Sequence, residues 1–173
     1  DAMALLLDGG AAVEQTRGED GETLLWTASF EGHANVSRLL LDRGASVDHG
    51  DDYGQTPLWV ACFKDRADIA RLLLERGADV SHVTKKGTTP LGIAQKQGHS
   101  SIVTLLEEHL DSKFPLHAAA RTGDVEAMTQ LLDGGAEVDA KKDGATPLFV
   151  ACQGGHVDAA RLLLEKGAKV DWA

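Results

Sequence analysis

Aromatic side chains are scarce in this chain, at 5 % of 173 residues. Leu, Ala and Gly dominate instead, which fits short helices packed closely through small residues and joined by glycine turns. Cysteine is scarcer still. Cys62 and Cys152 are the only two, too few for a disulfide-dense framework, so a reducing compartment, cytoplasmic or nuclear, is the expectation. No apolar run approaches the ~18 residues that a membrane-spanning helix needs, and no signal-peptide pattern is visible. The chain opens at Asp1, already inside an apolar helix pattern, and reads as a fragment of something longer.

Basic residues are also in short supply. The net charge is −10, and residues 1–55 hold 11 acids against 3 bases. An acidic chain repels phosphate backbones, so binding to nucleic acid or an anionic membrane is disfavoured. Catalytic signatures are missing too. There is no phosphate-cradling Gly-x-x-x-x-Gly-Lys motif, no His-Glu-x-x-His motif and no cluster of cysteine ligands. Nothing brings a nucleophile, a base and a partner together. No enzyme activity, cofactor or metal is expected. An apolar fraction of 43 % with 25 % charge nevertheless marks a folded protein rather than a disordered one.

What the chain has is repetition. Gly21, Gly54 and Gly87 are spaced evenly, each followed two residues later by Thr23, Thr56 or Thr89, with a further copy at Gly144 and Thr146. Thr can cap the orphan amides of a helix start, and Pro fits the first turn because its missing N–H costs nothing there. Arg38-Leu39-Leu40-Leu41, Arg71-Leu72-Leu73-Leu74 and Arg161-Leu162-Leu163-Leu164 are followed by Gly44, Gly77 and Gly167. A Gly just past an apolar helix is the expected left-handed stop. Each unit is thus a turn, a short helix, a tight loop, a second helix and a glycine stop. Neither helix is stable alone, so each buries its leucines against the next unit.

These residues resemble the ankyrin-repeat family. The resemblance is carried by Thr56-Pro57-Leu58-Trp59-Val60-Ala61, Thr89-Pro90-Leu91-Gly92-Ile93-Ala94, Phe114-Pro115-Leu116-His117-Ala118-Ala119 and Thr146-Pro147-Leu148-Phe149-Val150-Ala151. Gly98-His99, Gly155-His156 and the Gly-Ala pairs at 44–45, 77–78, 135–136 and 167–168 complete it. It covers essentially the whole chain and implies an all-α repeat solenoid of helix-turn-helix units with short β-hairpin turns. The sequence departs from the family pattern at Trp26, Trp59, Gly92 and Phe149, which stand where the family has His, and at Leu24, where it has Pro.

The register breaks once. Pro57 and Pro90 lie one repeat apart, but Pro115 comes about eight residues early. Glu107 stands where the third Leu of the run is expected, Leu110 at the glycine stop and Gln130 at a first Leu. Polar residues at stacking positions mark capping repeats. Residues 126–135 also echo residues 1–10. The expected divisions are a partial repeat at 1–17, repeats at 18–50 and 51–83, a repeat with a cap-like end at 84–112, a restarted repeat at 113–140, and a last repeat at 141–173. Two arrangements remain open, a continuous stack with a shortened connector or two abutting sub-arrays.

Cys62 and Cys152 share one column, which faces the helix layers, so both are expected to be buried and inert. His33, His99 and His156 share the loop column and are expected to make structural hydrogen bonds rather than to bind metal.

The aromatic residues say more. Of eight, five fall in the first two full repeats: Trp26, Phe30, Tyr53, Trp59 and Phe63. The family resemblance implies a concave groove, lined by hairpin tips and first helices, that contacts partners. It implies that Tyr53 lies at a tip and that Phe30 and Phe63 lie at helix ends beside Glu31 and Lys64. Trp26 and Trp59 serve either the core or the groove. Phe30 and Phe63 suit the groove, because their counterparts Lys96, Arg121 and Gln153 are polar. Acids (Glu19, Asp20, Glu22, Glu31, Asp51, Asp52) line the first part and bases (Lys85, Lys86, Lys96, Arg121) the middle, with Gln55 between them. The expected function is a protein-interaction module acting as a monomer on a protein partner. The alternatives are a structural spacer without its own partner, or an accessory domain of a larger enzyme.

Overall fold

The computed structural model describes residues 13–17, 20–142 and 144–170. Glu19 and most of the expected partial repeat at 1–17 lie outside the described residues. The chain divides into two compact units, Asp1–His109 and Leu110–Ala173.

The first unit opens with a two-residue antiparallel pair, β1 (Thr16–Arg17) and β2 (Glu22–Thr23). Helices α1 (Leu24–Glu31), α2 (Ala34–Asp42), α3 (Pro57–Phe63), α4 (Ala67–Glu75) and α5 (Pro90–Gln97) follow. Then comes α6 (Ser100–Lys113), whose last turn falls in the second unit. The first helices stack as one layer, α1 on α3 and α3 on α5, and α2 packs on α4 in another. Leu25, Leu40, Leu58, Ile69 and Leu73 are completely buried between them. Each such side chain contributes roughly 1.5–3 kcal/mol by leaving water.

The expected caps are in place. Thr23, Thr56 and Thr89 accept hydrogen bonds from the amides of Trp26, Trp59 and Gly92 at 3.1, 3.2 and 3.0 Å. Past α4 the backbone turns at Gly77 with φ +86°, a conformation that a Cβ penalises and glycine does not. Between repeats the chain folds into tight turns that bond to one another. The Asp52 amide donates to the Asp20 carbonyl at 2.9 Å, and the Lys85 amide to the Tyr53 carbonyl at 3.0 Å.

The missing glycine at position 110 has a direct consequence. Leu110 is buried, and α6 runs 14 residues, to Lys113. Phe114, at φ −130° and ψ 64°, then separates it from the next helix. Pro115 forces that break, since the residue before a proline is pushed out of helical geometry.

The second unit holds α7 (Pro115–Thr122), α8 (Val125–Asp133), α9 (Pro147–Gln153) and α10 (Val157–Glu165). Leu116, Ala120, Met128, Ala151, Ala159 and Leu163 form its core. Thr146 caps α9 through the Phe149 amide at 3.3 Å. Lys142 and Ala145 form an isolated bridge at the turn before it.

One expectation fails here. Cys62 is buried, but Cys152, its counterpart, is exposed. The column faces a stacking neighbour, and burial depends on that neighbour being there. Cys62 sits in α3, which α5 covers. Among the described residues no further first helix covers α9. The same contrast runs along the face: Leu74 is 6 % exposed and Leu164 47 %.

Candidate binding face

In the first unit the expected site residues form two groups. The first lies at the ends of α1 and α3. Phe30 stacks on Trp26, with ring centroids 5.2 Å apart and planes 11° from parallel. Phe63 stacks on Trp59 in the same way, at 5.5 Å and 15°. Both pairs are one helical turn apart in sequence, which brings their rings onto one side of the helix. The indoles belong to the core, at 7 % and 8 % exposure, while Phe30 and Phe63 are half-buried. The Lys64 ammonium lies 4.2 Å from the Phe30 ring centroid and 5.7 Å from that of Phe63. It thus reaches back from its own repeat to the preceding one.

The second group lies at the turns. Tyr53 is 47 % exposed. Its hydroxyl donates to Asp20 Oδ1 at 3.3 Å, and the Lys86 ammonium lies 6.0 Å from its ring centroid. The negative charge of Asp20, then its hydrogen bond, holds the phenol above its ordinary 10.0. Asp51 organises this turn internally. Its carboxylate accepts from the amides of Tyr53 and Gln55 at 3.0 and 2.8 Å, an Asx turn that stiffens the tip. Asp52 and Lys85 are exposed beside Tyr53, and Glu22 is half-buried in β2.

Glu31 and Lys96 are exposed at the ends of α1 and α5. Arg121 belongs to the second unit, where it pairs with Asp111 at 2.5 Å. There it lines an open hollow of about 340 Å³ with His117, Lys142 and Gln153. Composition and spacing gave no sign of this hollow.

Of the three loop histidines, His99 and His156 bond as a column. His99 Nε2 lies 3.2 Å from the Phe63 carbonyl, and His156 Nε2 2.9 Å from the Arg121 carbonyl. Arg66 fills the position between repeats without a His, with its Nε 3.5 Å from the Phe30 carbonyl. These bonds tie the ends of α1, α3 and α7 to the repeat that follows each, and those at α1 and α3 hold Phe30 and Phe63. Gly123 shows how close the approach is, since a Cβ there would meet the His156 ring at 2.7 Å. Among the described residues no group of three or more His, Cys, Asp and Glu is placed to hold a metal ion, and no helix is long and apolar enough to cross a membrane.

Among curated proteins no match to this chain is found. The family model described as Ankyrin repeats (3 copies) matches residues 1–84 and 107–172. With its caps, glycine stops and two helix layers repeating through the match, the chain belongs to the ankyrin-repeat family.

Proposed function

We propose that this chain is a protein-interaction module, not an enzyme. A partner segment lies along the groove of turns and first helices in the first unit, over Tyr53, Phe30 and Phe63. Ankyrin repeats are in general protein-binding modules, and that supports the class of partner. The observation that carries the site is the exposure of Tyr53, 47 % of a large side chain, on a turn held rigid by Asp51. Binding energy concentrates in a few aromatic anchors, while charges at the rim steer and select. Asp20, Glu22, Glu31 and Asp52 supply such a rim, joined by Glu19, Gln55, Lys64, Lys85, Lys86 and Lys96. Arg121 offers a separate basic contact in the second unit. The compartment that fits two free cysteines is a reducing one, cytoplasmic or nuclear.

The burial of Trp26 and Trp59 favours a second reading, a spacer whose aromatic residues serve the core. Affinity capture separates the two. A partner retained by the parent chain is expected to be lost with Tyr53→Ala and with the Phe30→Ala/Phe63→Ala pair, at unchanged helical content. Retention by both variants sinks the groove reading.

A further inference from the structure

We infer that Lys64 is a built-in occupant of a cation seat formed by Phe30 and Phe63, and that the partner segment presents an arginine that displaces it. This rests on the groove reading above. The seat has two tiers, Trp26 under Phe30 and Trp59 under Phe63, each near-parallel. Stacking on a buried indole holds each phenyl ring in place. The face of such a ring carries negative potential and attracts cations. Lys64 responds to that attraction, with its ammonium 4.2 Å from the centroid of a ring one repeat away. Among the described residues it has no ion-pair partner. The two rings are its nearest recorded partners, at 4.2 and 5.7 Å from their centroids.

The contact is weak enough to exchange. Lys64 is exposed, and its four-carbon stem is free to swing away. A guanidinium is the better occupant. It is planar, stacks on aromatic faces and is more weakly hydrated than an ammonium. Its remaining N–H groups need acceptors, and exposed Glu31 follows Phe30 directly in the chain. The charge of the region points the same way, with 11 acids against 3 bases over residues 1–55. An apolar side chain entering the seat would evict one positive charge and supply none. An acidic one would meet the carboxylates of that rim.

The test uses the full chain and two peptides, acetyl-Leu-Ala-Arg-Ala-Leu-amide and its norleucine counterpart, titrated calorimetrically. Lys64→Ala removes the competitor. It is expected to tighten the arginine peptide about two- to fivefold, the range for an exposed cation–π contact, and to leave the norleucine peptide unchanged. In the parent chain the Lys64 ε-methylene protons are expected to sit upfield in the ring current and to return toward their ordinary position as the arginine peptide is added. Equal tightening of both peptides overturns the inference, since Lys64 would then merely cover apolar surface. An arginine peptide that binds Lys64→Ala no better than the parent, or binds neither, also overturns it. If a captured partner still depends on Phe30 and Phe63 in that case, the groove reading survives and only the arginine assignment fails.

Discussion

The indole N–H of Trp59 donates to the Thr88 hydroxyl at 3.2 Å, across one repeat boundary. Trp26 occupies the same position one repeat earlier, and its indole nitrogen is buried with no hydrogen-bond partner. The difference lies in the acceptor, because Gln55 stands where Thr88 stands. A buried unsatisfied N–H costs about 1–3 kcal/mol. Gln55→Thr is therefore expected to raise unfolding stability by roughly 1 kcal/mol, read from the denaturant midpoint. Thr88→Val is expected to lower it by about 1–3 kcal/mol, because it orphans the Trp59 indole. A fall in stability with Gln55→Thr counts against the equivalence.

Leu73 is completely buried in the second-helix layer. Leu73→Ala removes a side chain that α2 and α3 cannot collapse to replace, and should cost roughly 2–5 kcal/mol. Leu164→Ala, at a half-exposed position, should cost far less. Equal midpoints for the two variants would sink the packing described.

The fold was legible because its signals are local and repeated. A Thr before a Pro caps a helix wherever it stands, and a glycine after a leucine run stops one. Leu110 was legible as a lost stop, though not as the extra turn of α6 that the loss permits. Phe30 and Phe63 were legible as a column of repeated positions. Their stacking on Trp26 and Trp59, and the reach of Lys64 into the preceding repeat, depend on side-chain directions that a column does not specify. Cys152 was misread for a related reason. Its column is internal only where another helix follows, and that is a property of the stack, not of the residue.

Asp65 departs from the loop pattern. It has φ +56°, in the left-handed region, where the equivalent Gly32 and Gly98 have φ +90° and +78°. Asp tolerates this conformation better than most residues because its short polar side chain bonds locally. A β-branched side chain does not. Asp65→Val is expected to cost about 1–2 kcal/mol, with Asp65→Asn near neutral. Thermal melts of the two variants give the comparison, and indistinguishable curves would remove the strain argument.

The two thiols should part company in a labelling experiment. An alkylating reagent should modify Cys152 in the native protein and Cys62 only on unfolding. Burial pushes the Cys62 thiol from its ordinary 9.0 up to about 12. A group that holds its proton more tightly when folded stabilises the fold fully below its unfolded pKa. That contribution is lost as pH rises from about 9 through about 12. Cys62→Ser should flatten this alkaline loss. Serine suits the site, because Ser29 occupies the same column and bonds the Leu25 carbonyl at 2.7 Å. Unchanged alkaline sensitivity in the variant would assign the loss to other groups.

Tyr53 is the single tyrosine of the chain, so a spectrophotometric titration reads the candidate site directly. The Asp20 carboxylate, by charge and then by hydrogen bond, disfavours the phenolate, with Asp51 and Asp52 adding to it. The midpoint should therefore lie above 10.0 in the parent chain and fall in Asp20→Asn. The same titration reports docking. A basic segment that neutralises Asp20 removes the main charge opposing the phenolate, so its binding should lower the Tyr53 midpoint. An acidic segment would add to that opposition and raise it, and a partner bound elsewhere would leave it alone. A downward shift thus identifies a basic segment against this turn, whereas an upward one fits either an acidic segment or the burial of the phenol, which also disfavours the phenolate. A parent midpoint at the ordinary value would mean that the Tyr53–Asp20 contact does not persist in solution, and the turn could not then serve as a preformed anchor.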